Sequence, residues 1–401
     1  MSFGLQLGTV GAALFVVLTL AYTALKLNKL YEILHPRAFL LLIPALMVFS
    51  TTWSESPAVT LKYSLEFSLT VWVALLLSAA QRPNSVLLGI FCAFSVYIFV
   101  SLIFGRTVAL GNAGDTAFSG LAAVKNTFAD ASSTCLLVAV AVFLASFAER
   151  RFLRVLAAAP VIVVTMFVLV VARSAGALLG LALGLCAYFL LLTLRSFVLP
   201  LRATMTAFLG VCLVAGGVFY RELSNALIDS GARFFDKDPT LTGRTYLWQR
   251  AADFIAEKPV FGKGFDTFWQ QGNIDAEGLW RYAHIIRRGG FSFHNTFIEL
   301  LVQVGWFGLT VTCITIIVAL ALLIARFINK PSMILCFWLG LLVYQMVRMP
   351  IEYIGFTEFS PATVLTFVAL AAGFPALQRA TAPDLSSQIK TYTRTAKSAA
   401  R

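Results

Sequence analysis

Charged side chains are scarce in this sequence. Aspartate, glutamate, lysine and arginine make up 12% of its 401 residues, whereas soluble domains contain about 25%. Hydrophobic residues make up 59%, and the mean hydropathy is +0.84. Apolar runs of about 20 residues, the length of a membrane-spanning helix, recur along the chain. This composition excludes an ordinary soluble enzyme and predicts an all-α polytopic membrane protein.

Ligand clusters for metals and cofactors are also missing from the sequence. All six cysteines lie within apolar runs, where they serve as small buried residues: Cys92, Cys135, Cys186, Cys212, Cys313 and Cys336. Gly262-Lys263-Gly264 is too short for a P-loop. The sequence therefore predicts neither a metal nor a cofactor. A Ser-His-Asp triad stays open, although no Gly-x-Ser-x-Gly elbow supports it.

One long polar interval, residues 221–291, interrupts the apolar sequence. Ten basic and nine acidic residues balance within it, which indicates a folded cap. We divide the chain into N-terminal transmembrane helices over 1–220, a cap loop with the chemical motifs over 221–304, C-terminal transmembrane helices over 305–379 and a basic tail over 380–401.

Eleven membrane spans are predicted, and a twelfth near the N-terminus stays open. Their approximate bounds are 4–25, 38–53, 58–80, 84–105, 130–148, 154–172, 175–194, 203–220, 305–325, 331–349 and 361–378.

Lysine and arginine collect in alternate loops. One set holds most of them: Lys26, Lys29, Arg37, Arg82, Arg150, Arg151, Arg154, Arg195, Arg202, Arg326, Lys330 and the tail. The short opposite loops hold only Arg106, Lys125, Arg173 and Arg348. Because cytoplasmic loops accumulate basic residues, the rule places the tail inside and the cap outside. The net charge of +12 is thus largely topological, and no nucleic-acid partner is predicted.

Arg244 is the first candidate for chemistry in the cap. Thr242 is a plausible N-cap, and the helix after it places Leu247 and Trp248 on one apolar face. A guanidinium beside free backbone N–H groups suits an anion, above all a phosphate. The alternative is a structural arginine paired with an acid such as Asp236 or Asp238.

His294 is the second candidate, and it opens a later helix. The helix N-terminus favours neutral imidazole, the form that a general base needs. Asn295 and Glu299 begin a polar stripe on this helix and are candidate substrate contacts, with Glu299 as the second choice of base. The alternative is that His294 caps its own first turn. The other two histidines, His35 and His284, are interpreted as incidental and surface-exposed.

Arg173 and Lys125 lie at the predicted outer membrane boundary. Most arginines at such a place anchor to lipid head groups. Topology nevertheless puts Arg173 on the same side as Arg244 and His294, which makes it a candidate substrate-binding residue. Lys125, at the end of another outer loop, adds positive charge to that side, unless it is an ordinary solvated loop end.

Several short motifs follow one another in a recognisable order: Arg173-Ser174-Ala175-Gly176, Thr242-Gly243-Arg244 with Trp248, Pro259-Val260-Phe261-Gly262-Lys263-Gly264-Phe265, and His294-Asn295-Thr296-Phe297 before Gly305-Trp306-Phe307-Gly308-Leu309. In order, spacing and topology, roughly residues 120–325 resemble the O-antigen ligase and polymerase superfamily of bacterial envelope membrane proteins. Relatives often place Ser or Thr before the first arginine and Gly after it, whereas this chain has Ala172 and Ser174.

The resemblance implies a metal-independent glycosyltransferase with a GT-C-like helical membrane fold, and direct displacement of the pyrophosphate by the acceptor predicts inversion of the anomeric carbon. In ligases of this superfamily, polysaccharide moves from undecaprenyl pyrophosphate to lipid A–core at the periplasmic face of the inner membrane. The resemblance implies that Arg173 and Arg244 bind the pyrophosphate and that His294 is the catalytic base.

The size of the chain and its single cap favour a ligase. An O-antigen polymerase and a protein O-oligosaccharyltransferase of the same superfamily are the enzymatic alternatives. A lipid-linked glycan transporter is the non-enzymatic alternative. A transporter should carry ionisable residues deep in several spans, whereas here they gather at the outer ends, which favours an enzyme.

Overall fold

The computed structural model describes residues 4–80, 82–109, 116–218, 244–285 and 291–374. Several features predicted from the sequence lie outside these residues. They are the Thr242 cap, the acids Asp236 and Asp238, and the tail 380–401.

Helices dominate the described residues. Nine precede the cap: α1 Gly4–Ala24, α2 Leu30–Leu34, α3 Leu42–Phe49, α4 Pro57–Ser78, α5 Pro83–Phe104, α6 Lys125–Ala148, α7 Phe152–Val171, α8 Ala175–Leu194 and α9 Leu199–Val218. The cap contributes α10 Arg244–Glu257 and α11 Ile274–Tyr282. After it come α12 Thr296–Asn329, α13 Met333–Arg348 and α14 Pro361–Ala371.

Seven helical segments of the described chain are long and apolar enough to cross a membrane: Leu27–Thr52, Pro57–Ser78, Pro83–Phe104, Lys125–Ala148, Phe152–Val171, Ala175–Leu194 and Thr296–Asn329. Four apolar helices are shorter: Gly8–Ala24, Leu199–Cys212, Met333–Arg348 and Pro361–Ala371. Each of the eleven predicted spans overlaps one of these segments. The prediction of a polytopic helical membrane protein is therefore confirmed.

The span at Leu27–Thr52 is longer than the predicted 38–53 and is irregular. One 3-10 segment, His35–Leu41, joins α2 to α3 and contains Pro36 near its start. Proline has no N–H group and cannot continue an α-helical hydrogen-bond ladder from the preceding turn. The broken helix explains why hydropathy alone located only its apolar half.

A short antiparallel hairpin before α6 was not predicted. Strand β1, Arg106–Ala109, pairs with β2, Thr116–Gly120. The hairpin packs on α6, where the ring of Phe118 meets that of Phe128 edge-on with centroids 5.2 Å apart. The strands are four and five residues long, too short to give a periodic sequence signal.

Two glycine motifs of the sequence interlock. Helix α12 is kinked at Gly305, whose φ is 64°. The turn after α10 fits into this kink through four backbone hydrogen bonds, including Lys263 N–H to Val302 O at 2.9 Å and Trp306 N–H to Pro259 O at 2.9 Å. A Cβ on Gly305 would collide with the backbone of Val260. The kink therefore separates a short helix, which follows His294, from a long apolar helix, and the turn after α10 holds the kink in place.

The cap has its own hydrophobic core, separate from that of the membrane helices. Its buried members come from α10, α11, the segments beside them and α12: Leu247, Ala251, Phe254, Phe268, Trp269, Ala276, Leu279, Trp280, Phe293 and Val302. Since Phe293 and Val302 flank the start of α12, this core fixes the cap onto the helix that His294 opens.

Candidate active site

Glu352 is the centre of the polar cluster beneath the cap. It lies in the loop 349–360, which joins α13 to α14 and is called here the Glu352 loop. Its Oε1 accepts hydrogen bonds from Arg244 NH2 at 2.9 Å and from Asn126 Nδ2 at 2.8 Å. Its Oε2 lies 3.1 Å from His294 Nδ1. One carboxylate thus joins the cap, helix α6 and the start of α12.

Arg244 is the first residue of α10, as the sequence predicted for the start of this helix. Its NH1 donates to Ile351 O at 2.6 Å and its NH2 donates to Glu352 Oε1, so both hydrogen bonds go to the Glu352 loop. The arginine is paired with an acid, as in the structural alternative, but that acid is Glu352. A guanidinium carries five N–H groups, and its contacts with the described residues use two of them, so further N–H groups can donate to an anion. Its side chain is 16% exposed.

His294 stands just before α12 in a left-handed conformation with φ 52°. It does not cap the helix, because Asn295 does: Asn295 Oδ1 accepts from the backbone N–H groups of Phe297 and Ile298 at 3.0 and 3.1 Å. Thr296 then anchors the Glu352 loop by donating from Oγ1 to Glu352 O at 2.8 Å. The positive φ and this anchor turn the imidazole towards the carboxylate.

The partner of Nδ1 determines what the imidazole can do. A carboxylate accepts only, so Nδ1 carries the proton in this contact and Nε2 of the neutral ring keeps its lone pair. The side chain of His294 is 28% exposed, and its ring lies nearly perpendicular to that of Phe291, with ring centroids 5.4 Å apart. The ring is therefore oriented as a base that can accept a proton at Nε2.

Electrostatics keep Glu352 ionised. Burial alone raises the pKa of this carboxyl, but the hydrogen bond from His294 and the charges of Arg244 and Arg348 outweigh burial and lower the pKa below its usual value. A group with this pKa is negative throughout the physiological range. The cluster thus holds a permanent negative charge next to His294 and Arg244.

Arg173 lies at the edge of this cluster, in the turn between α7 and α8, with φ 49°. Lys125 Nζ donates to Arg173 O at 3.3 Å. The next residue, Ser174, donates to Asn126 Oδ1 at 3.2 Å, and Asn126 in turn bonds Glu352. The structure therefore brings the backbone of Arg173 and the side chain of Lys125 to the same end of the molecule as Arg244 and His294.

Glu299 is placed differently from the other candidates. It is fully buried, and its carboxylate accepts from Trp269 Nε1 at 2.9 Å, from Phe293 N at 2.8 Å and from Gln303 Nε2 at 3.2 Å. These bonds tie the cap core to α12. Glu299 thus shapes the backbone before His294, and neither it nor the capping amide of Asn295 joins the Glu352 cluster.

Within the described ranges, no group of three or more His, Cys, Asp or Glu side chains is arranged to hold a metal ion.

Comparison with known proteins agrees with this architecture. Residues 160–313 match the model of a family described as O-Antigen ligase. The chain is also similar to the Exopolysaccharide production protein ExoQ of Rhizobium meliloti (strain 1021), with 28% identity over 326 residues, 79% of this chain and 72% of that protein. The predicted resemblance to the O-antigen ligase and polymerase superfamily is confirmed.

The segment matched to the O-antigen ligase family contains Arg173, Arg244 and His294, and it ends before Glu352. The sequence analysis did not identify Glu352, because this residue follows His294 by 58 positions and belongs to no motif. A signal was present nonetheless: from residue 331 to residue 374, Glu352 and Glu358 are the only acids in a nearly apolar stretch.

Proposed function

We propose that this protein is a glycosyltransferase of the O-antigen ligase type. It transfers a polysaccharide from undecaprenyl pyrophosphate to a hydroxyl of lipid A–core at the periplasmic face of the inner membrane. The observation that carries the proposal is the shared carboxylate of Glu352, with His294 Nδ1 on one oxygen and Arg244 on the other. The resemblance to the O-antigen ligase and polymerase superfamily supports the substrate class.

In the proposed reaction, His294 Nε2 takes the proton of the acceptor hydroxyl as its oxygen attacks the anomeric carbon of the donor. The bond between that carbon and the pyrophosphate oxygen breaks, and its electron pair leaves with the pyrophosphate. Arg244 and Arg173 stabilise the negative charge of the leaving group. A single displacement inverts the anomeric carbon and forms no covalent glycosyl-enzyme.

Glu352 holds the neutral imidazole in the tautomer that the reaction needs and stabilises the imidazolium that forms. A buried carboxylate orients a catalytic histidine in the same way in serine proteases. Lys125, beside Arg173, adds positive charge where the donor would approach.

The proposed reaction uses arginines in place of a metal ion. Purified protein should therefore transfer glycan in excess EDTA at the rate measured without it. A rate that collapses with the chelator and returns with Mg²⁺ would show that a metal takes part.

A second candidate function is polymerisation of an exopolysaccharide. It is favoured by the 28% identity to a protein named for exopolysaccharide production, over 79% of this chain. The same residues would carry both reactions, because only the acceptor differs.

Reconstitution into vesicles separates the candidates. The donor probe is undecaprenyl pyrophosphate carrying one saccharide repeat, and lipid A–core is added or omitted. A ligase forms product only when lipid A–core is present, whereas a polymerase lengthens the lipid-linked saccharide without it. If no glycosidic bond forms under either condition but the donor crosses the bilayer, the protein is a transporter and the proposal fails.

The proposed orientation has its own test. Ile274 on the cap and Leu153 at the opposite end of the helix bundle are both 85% exposed. A cysteine at position 274 should react with an impermeant thiol reagent added to spheroplasts, and a cysteine at 153 only after lysis. The reverse pattern would place the site in the cytoplasm.

A further inference from the structure

A second polar bridge lies one helical turn below the Glu352 cluster. Asp130 follows Asn126 by four residues on α6, and Arg348 precedes Glu352 by four residues at the end of α13. Arg348 NH1 donates to Asp130 Oδ1 and to Tyr344 OH, the latter at 2.7 Å. Tyr344 OH donates to Asp130 Oδ1 at 2.6 Å. Residues four apart on a helix share a face, so Asn126–Glu352 and Asp130–Arg348 are successive rungs between α6 and the end of α13.

Burying the charge of Arg348 in this lower rung costs desolvation free energy. Arg348 is 2% exposed, whereas the side chain of Asp130 is 24% exposed. Among the described residues, Arg348 Nε has no hydrogen-bond partner. Replacing a buried ion pair by well-packed apolar side chains is often neutral or stabilising, because desolvation offsets the attraction. Stability alone therefore does not account for the Asp130–Arg348 pair.

The neighbouring helix α8 leaves room for this rung. A Cβ on Gly180 would lie 2.9 Å from Arg348 Cγ, and a Cβ on Gly184 would lie 2.8 Å from Tyr344 Cβ. Side chains at either position would push the arginine or the tyrosine aside. At the start of the same helix, Ser174 bonds Asn126 of the upper rung. One packing arrangement of α6, α8 and α13 thus supports both rungs.

We propose that Asp130 and Arg348 form a positioning pair for the catalytic centre, which fixes the place and the charge of Glu352 and, through it, the orientation of His294. The inference rests on the proposed function and adds two residues that need not touch substrate.

Backbone geometry connects the two rungs directly. Glu352 N–H donates to Arg348 O at 2.8 Å, and Ile351 N–H donates to the same oxygen at 2.9 Å. Ile351 O is the acceptor for Arg244 NH1. Displacing Arg348 therefore moves both the carboxylate that His294 contacts and the carbonyl that Arg244 contacts.

The two members of the pair carry opposite charges, so their loss has opposite effects. The groups around Glu352 are His294 and Arg244 above it, Arg348, Asp130 and Tyr344 below it, and Arg173 and Lys125 at its edge. Without the positive charge of Arg348, protonation of the His294–Glu352 pair becomes easier. Without the negative charge of Asp130, protonation becomes harder.

The test is the pH dependence of kcat for transfer from undecaprenyl-pyrophosphate-linked saccharide in vesicles. The acid limb of this profile is the pH range in which kcat falls as the pH decreases. In Arg348→Met, the acid limb should move to higher pH by about half a unit or more, and in Asp130→Asn it should move to lower pH. Asparagine keeps an acceptor for Tyr344 and Arg348, so Asp130→Asn preserves the shape of the rung. Arg348→Lys keeps the positive charge, so its acid limb should lie close to the wild-type position. Its kcat should be below that of the wild type, because an ammonium does not reproduce the directed bonds of the guanidinium.

Arg202→Met is the matched control. Arg202 is also a buried arginine, but it bonds the carbonyls of Arg195, Phe197 and Ile328 at the far end of the bundle. Its loss should leave the pH profile unchanged. A generic effect of removing a buried arginine would shift Arg202→Met and Arg348→Met alike and would overturn the inference.

Acid limbs that stay in place, or move in the same direction in Arg348→Met and Asp130→Asn, would reduce the pair to a structural contact. If Arg348→Met does not fold, Asp130→Asn alone tests the inference. A shift of its acid limb to lower pH supports the positioning role, and an unshifted limb contradicts it. The proposed function is judged separately by His294→Ala. If that variant loses transfer while the Asp130 and Arg348 variants keep the wild-type profile, only the positioning role is wrong.

Discussion

His294 and Glu352 meet with Nδ1 and Oε2 3.1 Å apart, although 58 positions separate them. Thr296 holds them together, because its Oγ1 donates to Glu352 O at 2.8 Å and its N–H donates to Met349 O at 2.8 Å. The histidine therefore precedes α12, and the carboxylate comes from the Glu352 loop between α13 and α14. This contact converts a histidine at a helix start into an oriented candidate base.

Glu352→Gln tests that contact. Glutamine can still accept from Asn126 and Arg244, but it is neutral and no longer stabilises an imidazolium. We expect kcat to fall by about 10²-fold or more, with little change in protein abundance. The matched control is Glu149→Gln, in an exposed ion pair with Arg151 at the opposite end of the bundle. Transfer by Glu352→Gln at the wild-type rate would show that His294 needs no carboxylate.

Arg244 gives a prediction about geometry as well as charge. Arg244→Ala should lower the transfer rate by about 10²-fold or more, and Arg244→Lys should remain impaired because an ammonium cannot reproduce two directed bonds. Arg173→Ala should also cost activity. Arg250→Ala, which removes an exposed arginine paired with Asp253 on the same helix, is the control. Full activity of membrane-inserted Arg244→Ala would exclude its role in binding the donor.

The turn after α10 packs so closely against the kink of α12 that a single methyl group added at Gly262 or Gly305 should lower stability. Gly262 has φ 68°, and a Cβ on it would lie 2.6 Å from the backbone of Gln303. We expect Gly262→Ala and Gly305→Ala each to cost about 1–3 kcal/mol, seen as a lower Tm in detergent. In Gly278→Ala, on α11, the new methyl group meets no atom within 4 Å, so its Tm should match or exceed the wild type. Equal Tm values for all three variants would contradict the interlock.

Glu358 predicts a pH-dependent stability. Burial, and after it the charge of Glu66, raises the pKa of Glu358 from 4.5 to about 7. An acid with a raised folded pKa destabilises the fold as pH rises from about 4.5 through about 7, because ionisation is easier in the unfolded chain. Glu358→Gln should thus match the wild-type Tm near pH 4 and exceed it by a few degrees at pH 8.

Glu352→Gln serves as the opposite control in the same melting series. Its carboxyl has a lowered pKa of about 2, so its stabilising contribution is complete above about pH 4.5 and is lost only as the pH falls towards 2. Glu352→Gln should therefore melt below the wild type at pH 8. A Glu358→Gln curve parallel to the wild type at every pH would mean that Glu358 titrates normally.

Much of the membrane fold could be predicted from the sequence, because a helix in lipid must satisfy its own backbone and therefore needs a long apolar run. The same reasoning failed at Leu27–Thr52, where Pro36 interrupts the ladder, and at the hairpin beside Phe118, whose strands are too short for a pattern. Candidates at helix starts, such as Arg244, could be found because local features mark those positions.

The partners of those candidates could not be predicted. Glu352 reaches Arg244 and His294 only through tertiary folding, and no local feature distinguishes it from Glu358. The sequence analysis also left open whether His294 is a base or caps its own first turn, and it assigned no capping role to Asn295. In the structure Asn295 is the cap, and its side chain accepts hydrogen bonds from two backbone N–H groups.

The most direct measurement of the proposed chemistry is the single-turnover rate of glycan transfer by His294→Ala in vesicles loaded with the undecaprenyl-pyrophosphate donor and lipid A–core. We expect the rate to fall by about 10²–10⁴-fold while the variant still binds the donor, and we expect His294→Gln, which bonds but takes no proton, to be equally slow. A near-wild-type rate in His294→Gln would contradict a base at His294 and leave it a positioning residue.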